Sequence, residues 1–437
     1  MSMHSESKRV ILGGGITGLA AGIASGFPVF EAAQQPGGIC SSYYMRRGDR
    51  NRLTESPSEG DAYRFEHGGG HWIFGGDPLV LQFIDSLVPF RSYQRRSSVF
   101  FPDRELYVPY PLQNHLSCLG KETAVKALAE MMSGSQKPPS TMQEGLEQSF
   151  GPTLLNLFFG PFHDLYTAGL WKRIKPQDGY KSPHNLQLVL QGAFGDAPPV
   201  GYNVTFVYPA DGLNALASNM ASRCDLRFGK SVARVDVNAK EILFVDGGKV
   251  SYDRLISTLP LNHMCKMAGI SLGMEPDPYS SVLVINVGGI KGLRCPPDHW
   301  IYVPSSEAGF HRVGFYSNVD ESFIPKNGAS SRVSIYVEKA YPGGERPSET
   351  EMASTCEATV QELRSWGYLQ EAEVVDPTWI DVAYTWSWPG STWVSKAISA
   401  LQKHGIHQVG RYARWTFQGI ADSIRDGFIA GTALRNS

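Results

Sequence analysis

The sequence is poor in the features that assign a function at sight. Its six cysteines, Cys40, Cys118, Cys224, Cys265, Cys295 and Cys356, are scattered over 437 residues. No CxxC pair and no histidine cluster at zinc-like spacing occurs, so neither a disulfide framework nor a metal-ligand set is expected. Scattered reduced thiols fit a cytoplasmic protein. Charge of one sign is missing too: 40 Lys and Arg face 42 Asp and Glu, a formal net charge of −2. That balance gives no electrostatic reason to expect nucleic acid as the partner. No apolar run reaches the length of a membrane span, and the polar start, Met1 to Arg9, leads into a strand pattern rather than reading as a signal peptide. There is no internal repeat, no low-complexity tract, no Ser/His/Asp set and no reactive-cysteine context. What remains is an ordinary globular composition, 42% hydrophobic, in a chain long enough for two or three domains.

Patterning divides the chain. Val10-Ile11-Leu12 and Pro28-Val29-Phe30 read as buried parallel strands, and the small, Ala-rich stretch 17–25 between them as a helix packed tightly on a sheet. Helical spacing follows over 77–87, with Asp77 as N-cap, over 121–132 and over 142–159, so that 77–203 is expected to be mostly helical. Beyond Tyr208 a helix over 212–221 precedes strands at 225–228, 232–237, 241–245, 254–257, 282–287, 311–316, 333–337 and 379–386. A helix is expected over 349–366 and another over 419–434.

The first strand runs into Gly13-Gly14-Gly15-Ile16-Thr17-Gly18, which fits G-x-G-x-x-G. Gly13 permits the tight turn, Gly15 lets a pyrophosphate approach the backbone, and Gly18 lets the helix pack on the sheet. The helix start offers free N–H groups and a positive dipole end to phosphates. Glu31, 18 residues after Gly13 at the end of the next strand, is placed to accept the adenosine ribose hydroxyls and to repel a 2′-phosphate. This unit alone leaves NAD and FAD open.

The continuation, Ala32-Ala33-Gln34-Gln35-Pro36-Gly37-Gly38-Ile39-Cys40-Ser41, resembles the E-(x)n-G-G-x-x-S extension of the large FAD family that includes amine oxidases, protoporphyrinogen oxidases and UDP-galactopyranose mutases. The resemblance implies FAD, held non-covalently. Phe65-Glu66-His67-Gly68-Gly69-Gly70-His71 is similar to the GGH loop of the mutases, and Val108-Pro109-Tyr110-Pro111-Leu112-Gln113-Asn114 to their VPYP-x-QN segment. Tyr208-Pro209-Ala210-Asp211-Gly212, Ser257-Thr258-Leu259-Pro260, Tyr302 with Arg312, Ser317-Asn318 and Gly410-Arg411-Tyr412-Ala413-Arg414-Trp415 follow in the family's order.

Carried over by position, the resemblance implies a cofactor site at Gly13, Gly15, Ile16, Thr17, Gly18, Glu31, Ala32, Gly37, Gly38, Gly69, Gly70, His71, Val232, Gly410, Arg411, Gly419, Ala421, Asp422, Ser423 and Ile424. It implies a substrate site at Tyr110, Gln113, Asn114, Trp171, Lys181, Tyr302, Arg312 and Tyr384, with His71 and Arg312 nearest the chemistry. An arginine fork suits a diphosphate; the plainer reading of Arg312 is a strand arginine paired with Glu338. Departures are equally visible. Val319 and Phe417 stand where the mutases carry tyrosines, Ile420-Ala421-Asp422-Ser423-Ile424 replaces N-x-D-H-S, and Lys181 is the nearest cation to the second family arginine. The diphosphate clamp is thereby thinned.

The implied activity is rearrangement of a nucleotide sugar by the N5 of reduced flavin without net redox change, with NADH or NADPH as reductant. The alternative is an oxidase or desaturase acting on a non-nucleotide substrate in an apolar funnel. The expected fold is α/β. A discontinuous Rossmann-type FAD-binding domain spans 1–72, 202–262 and 408–437, a mainly helical insert 73–201, and a mixed-sheet substrate domain 263–407. The expected partner is a small molecule.

Overall fold

The computed structural model describes residues 8–133, 137–176, 185–195, 198 and 204–436. Lys181 and the division expected at residues 201 and 202 lie outside them.

A five-stranded parallel sheet underlies the glycine motif. Its order is Leu226–Arg227, Val29–Phe30, Arg9–Leu12, Arg254–Ser257 and Ile406–Gln408, so three distant stretches of chain meet in it. Val10, Ile11 and Leu12 are all buried, as a strand covered on both faces requires. One cover is the helix Ile16–Ser25 with the C-terminal helix Ile420–Arg435 laid against it. Small residues allow that approach: a Cβ on Gly427 would lie 2.4 Å from the Thr17 carbonyl oxygen, and one on Gly431 2.5 Å from that of Ala21. The other cover is the antiparallel meander Val232–Asp236, Glu241–Phe244 and Lys249–Ser251, with the helices Leu261–Met267 and Trp393–Lys403.

A second, seven-stranded sheet runs Leu369–Thr385, Tyr279–Lys291, Arg332–Pro342, Arg312–Phe315, Trp300–Tyr302, Ser97–Phe101 and Leu106–Pro109. All its pairs are antiparallel except Trp300–Tyr302 with Ser97–Phe101. Alternation decides its faces. Val333, Ile335 and Val337 pack beneath the helix Glu349–Ser365. Their neighbours Tyr336 and Glu338 turn to the opposite face and line the large cavity described below.

One expectation needs refinement and another correction. The described part of the stretch after residue 77 is mostly helical, as expected, but three strands interrupt it. After the helix Pro78–Leu87, whose Leu79 N–H is capped by Asp77 at 2.8 Å, come the strands Phe90–Gln94, Ser97–Phe101 and Leu106–Pro109. Leu106–Pro109 folds back on Ser97–Phe101 as a local hairpin, while Thr205–Pro209, the partner of Phe90–Gln94, and Trp300–Tyr302, the second partner of Ser97–Phe101, are remote in sequence, where tertiary pairing decides. The helix expected over 142–159 breaks at Gly151 (φ 73) and Pro152, then continues as a wide π turn over Leu155–Phe159.

Candidate functional site

Two cavities flank the glycine motif. The first, about 920 Å³, opens at the carboxyl ends of the parallel strands and is lined by Gly13, Glu31, Ala32 and Val232 among others. That is where a doubly wound sheet receives a ligand. The second, about 860 Å³, begins at Gly15, Ile16 and Thr17 and runs under the seven-stranded sheet.

The motif is built as its spacing requires. Gly13 has φ 98, and a Cβ on Gly18 would lie 1.9 Å from the Gly13 carbonyl oxygen. Glu31 accepts from the Gly14 N–H at 2.6 Å and the Ala33 N–H at 2.8 Å, which fixes its carboxylate at the edge of the first cavity. The second glycine pair is tied to the first, the Gly37 N–H donating to Gly14 at 2.8 Å. The starts of two long helices, Ile16–Ser25 and Ile420–Arg435, reach the second cavity through Thr17, Gly419, Asp422 and Ser423. A dinucleotide reaching from one cavity to the other across bare glycine backbone fits these residues. Glu31→Gln is therefore expected to weaken FAD binding about tenfold or more, since each charge-assisted bond it would make to the ribose contributes roughly 1.5–3 kcal/mol. Titration of the apo-protein with FAD checks this.

Deeper in the second cavity the loop Gly68-Gly69-Gly70 passes between two rings. A Cβ on Gly68 would meet the His71 ring at 2.4 Å, and one on Gly70 the Tyr336 hydroxyl at 2.1 Å. His71 is held down to about 4, by burial first and then by Arg411, so its imidazole is neutral at pH 7. Arg411 itself donates to the carbonyls of Gln418 (3.1 Å) and Ala383 (3.4 Å) and stacks on Phe417, 4.6 Å from its ring centre.

The far wall is a cross-strand row. Strand register sets Tyr302 opposite Arg312 and Arg312 opposite Glu338. The Arg312 Nη2 bonds both oxygens of Glu338. The Tyr384 hydroxyl donates to Glu338 Oε2 at 3.3 Å, and His311 Nε2 lies 3.6 Å from that oxygen. Burial pushes the Glu338 carboxyl up, but Arg312 and then His311 outweigh it and hold it at about 2. The row is thus an ionised, charge-compensated pair. Tyr110 packs on Tyr302 with ring centres 4.6 Å apart, and Phe162 and Tyr166 close the wall.

The structure gathers most of the residues singled out from the sequence. Gly15, Ile16, Thr17, Gly37, Gly38, Gly70, His71, Tyr110, Tyr302, Arg312, Tyr384, Gly410, Arg411, Gly419, Asp422 and Ser423 line the second cavity. Gly18, Gly69, Ala421 and Ile424 lie behind its surface. Three others are not brought there. Gln113 and Asn114 are buried in the turn Leu112–Asn114 beneath the helix Leu186–Phe194, where a Cβ on Gly192 would be 1.7 Å from the Asn114 carbonyl oxygen. Trp171 belongs to the helical core, its indole N–H donating to Asp164 at 2.6 Å. Of the two positions where the mutases carry tyrosines, Phe417 lines the cavity and Val319 packs in the core. Glu338 and Tyr336 are functional candidates that the motifs missed. Glu338 had a signal of another kind, the plainer reading of Arg312 as a strand arginine paired with it, and the strand register shows that pairing.

The sequence matches the model of the flavin-containing amine oxidoreductases over residues 21–280. The chain belongs to that flavoenzyme family. Solved structures carry the fold over the whole length. A reduced UDP-galactopyranose mutase superposes with a TM-score of 0.85 at 23% identity, covering 98% of this chain and 96% of that one. A protein described as a protoporphyrinogen oxidase, from Exiguobacterium sp. 255-15, gives 0.68 at 14% identity, covering 99% and 98%. A conjugated-linoleic-acid-producing fatty acid isomerase from P. acnes gives 0.60 at 13%, covering 99% of each chain. Family and fold agree on a Rossmann-type FAD-binding unit with a second, mixed sheet beside it. Among the described residues no helix is long and apolar enough to cross a membrane, and no His, Cys, Asp and Glu cluster could hold a metal ion.

Proposed function

We propose that this protein holds FAD non-covalently across the two cavities and rearranges a nucleotide sugar beneath the seven-stranded sheet, without net redox change. The observation that carries the reading is the convergence of Tyr110, Tyr302, Arg312 and Tyr384 opposite His71 and Arg411 in one cavity. The likeness to a reduced UDP-galactopyranose mutase over nearly both whole chains supports it. When bound, the reduced flavin supplies the nucleophilic chemistry at its N5. This chain's residues do the rest. Glu31 takes the ribose, the two helix starts face the cofactor's phosphates, and Arg312 and Arg411 are the cations presented to a leaving diphosphate. Tyr110 and Tyr302 offer aromatic faces to a base, and neutral His71 offers a ring nitrogen to a sugar hydroxyl. NADH or NADPH is the proposed reductant.

A second reading, net oxidation of a neutral or cationic substrate, is favoured by one observation: Glu338 already compensates Arg312. Two anaerobic measurements separate them. In the first, a labelled UDP is displaced by candidate nucleotide sugars. In the second, NADH or dithionite consumed is counted against product formed. Binding with many turnovers per reducing equivalent is expected. Reduction of the bound flavin by substrate itself, with stoichiometric oxygen consumption once air is admitted and no UDP binding, would move the protein to the oxidase reading.

A further inference from the structure

Just before the glycine loop, the strand Ala62–Glu66 buries two opposite charges that do not meet. Tyr63 and Phe65 occupy one face of it, Arg64 and Glu66 the other. Arg64 is 2% exposed and Glu66 0%. The Arg64 guanidinium lies 4.2 Å from the ring centre of Phe323 and donates to Ala210 at 3.4 Å, while its Nε and Nη2 have no hydrogen-bond partner. Glu66 receives the Ser42 hydroxyl at 2.8 Å and the Tyr208 hydroxyl, both on Oε1, and its Oε2 has no partner. Nearby, Asn214 Oδ1 is a second acceptor without a donor. A carboxylate held this way is costly, because one oxygen is buried and no donor reaches it, those of Arg64 included; a carboxylic acid buries no charge and carries its own donor at that oxygen. Burial raises the Glu66 carboxyl to about 7 against the pull of Tyr208, Arg64 and Ser42.

The position links this group to the cofactor cavity. The Glu66 carbonyl receives the Asn286 amide at 3.0 Å and the Gly69 N–H at 3.5 Å. His67, the next residue, lines the cavity, as does Cys40, whose thiol is pushed up to about 12 by burial and then by the Glu66 charge. Charge developing in that cavity therefore reaches Glu66 through protein rather than water. The other groups facing it leave it free to respond. The Tyr208 and Tyr316 phenols are pushed well up by burial and stay neutral, Ser42, Tyr43 and Asn286 carry no charge at neutral pH, and Arg64, with Asp320 beyond it, is the cation.

We propose that Glu66 is a proton-holding positioning residue for the flavin, taking up one proton from solvent when the cofactor is reduced and releasing it on oxidation. The balance is explicit. An external donor, dithionite or a nicotinamide, delivers two electrons. The flavin binds one proton and retains one negative charge, and Glu66 binds a second proton that offsets it. Two electrons are then accompanied by two protons instead of one. The inference rests on flavin binding alone, whichever substrate is turned over.

The test is the midpoint potential of the flavin-bound protein against pH, from 6 to 9, for wild type, Glu66→Gln and Glu66→Asp. Around neutrality the wild-type slope should be twice that of the Gln variant. The difference is a tenfold change in the reduction equilibrium per pH unit, about 30 mV for a two-electron couple. Glu66→Asp should keep the steeper slope. A purely structural role would displace the potential and leave the slopes equal, which overturns the proposal. Infrared redox-difference spectra of the wild type give a second readout that needs no variant. A protonated-carboxyl band that grows on reduction and moves down in D2O is expected, and its absence overturns the proposal. A protein that takes up no flavin overturns it together with the functional reading.

Discussion

Arg312→Ala should lower stability by about 3–5 kcal/mol, the cost of breaking a buried ion pair from one side. Glu338 is 2% exposed and would lose the guanidinium that bonds both its oxygens. Neutral His311 at 3.6 Å cannot replace it. The double substitution Arg312→Met, Glu338→Leu removes both charges and should recover most of that loss, because apolar replacement of a whole buried pair is often neutral or better. Binding should behave differently. Both forms should lose about 2–5 kcal/mol of affinity for a diphosphate ligand if Arg312 is the clamp. Urea midpoints together with UDP titrations separate the two effects. Rescue of stability without rescue of binding places Arg312 on the ligand. An unchanged urea midpoint in Arg312→Ala would mean that the pair does not hold the sheet.

Acid should unfold the protein well above the range where carboxylates alone would act. His71, His163 and His299 are each depressed by burial from 6.5 to about 4. A depressed folded value means the unfolded chain binds the proton more readily, so each contributes stability that is complete above pH 6.5 and is lost as pH falls towards 4. Each shift corresponds to about 3 kcal/mol. Glu66 works the other way. Its folded value near 7 lies above the ordinary 4.5, so stability rises as pH falls across that interval and one histidine is offset. For these four groups the net loss between pH 6.5 and 4 is then on the order of 6 kcal/mol, comparable to the whole stability of a typical domain. Urea unfolding at half-unit pH steps should show it. His163→Asn should flatten the curve by about one proton and Glu66→Gln should steepen it by one. A stability independent of pH from 7 to 4.5 would contradict the burial of these rings.

How much of this was legible depended on how far apart the partners lie. The strand, the turn Gly13–Gly18, the acid Glu31 and the second pair Gly37-Gly38 are one contiguous stretch. Its glycines are needed for backbone approach, so spacing alone carried the cofactor-binding unit and its neighbours. The helix Pro78–Leu87 was legible for the same reason, since its Asp77 cap is local. The helix Lys121–Met132 matched its apolar spacing residue for residue.

What the sequence could not decide was which way a side chain faces. Tyr110, Gln113 and Asn114 sit in one motif, yet the first reaches the cavity and the other two pack under the helix Leu186–Phe194. Ser97–Phe101 pairs on one edge with the adjacent Leu106–Pro109 and on the other with Trp300–Tyr302, some two hundred residues later, and no local pattern announces that second partner. The sequence by itself determined a glycine-cradled dinucleotide site and the family's order of motifs, because those rest on local geometry. Only the tertiary structure decided that Arg312 meets Glu338 and that Glu66 is buried beside the cavity. Those outcomes depend on strand register, where a shift of one residue turns every side chain to the opposite face.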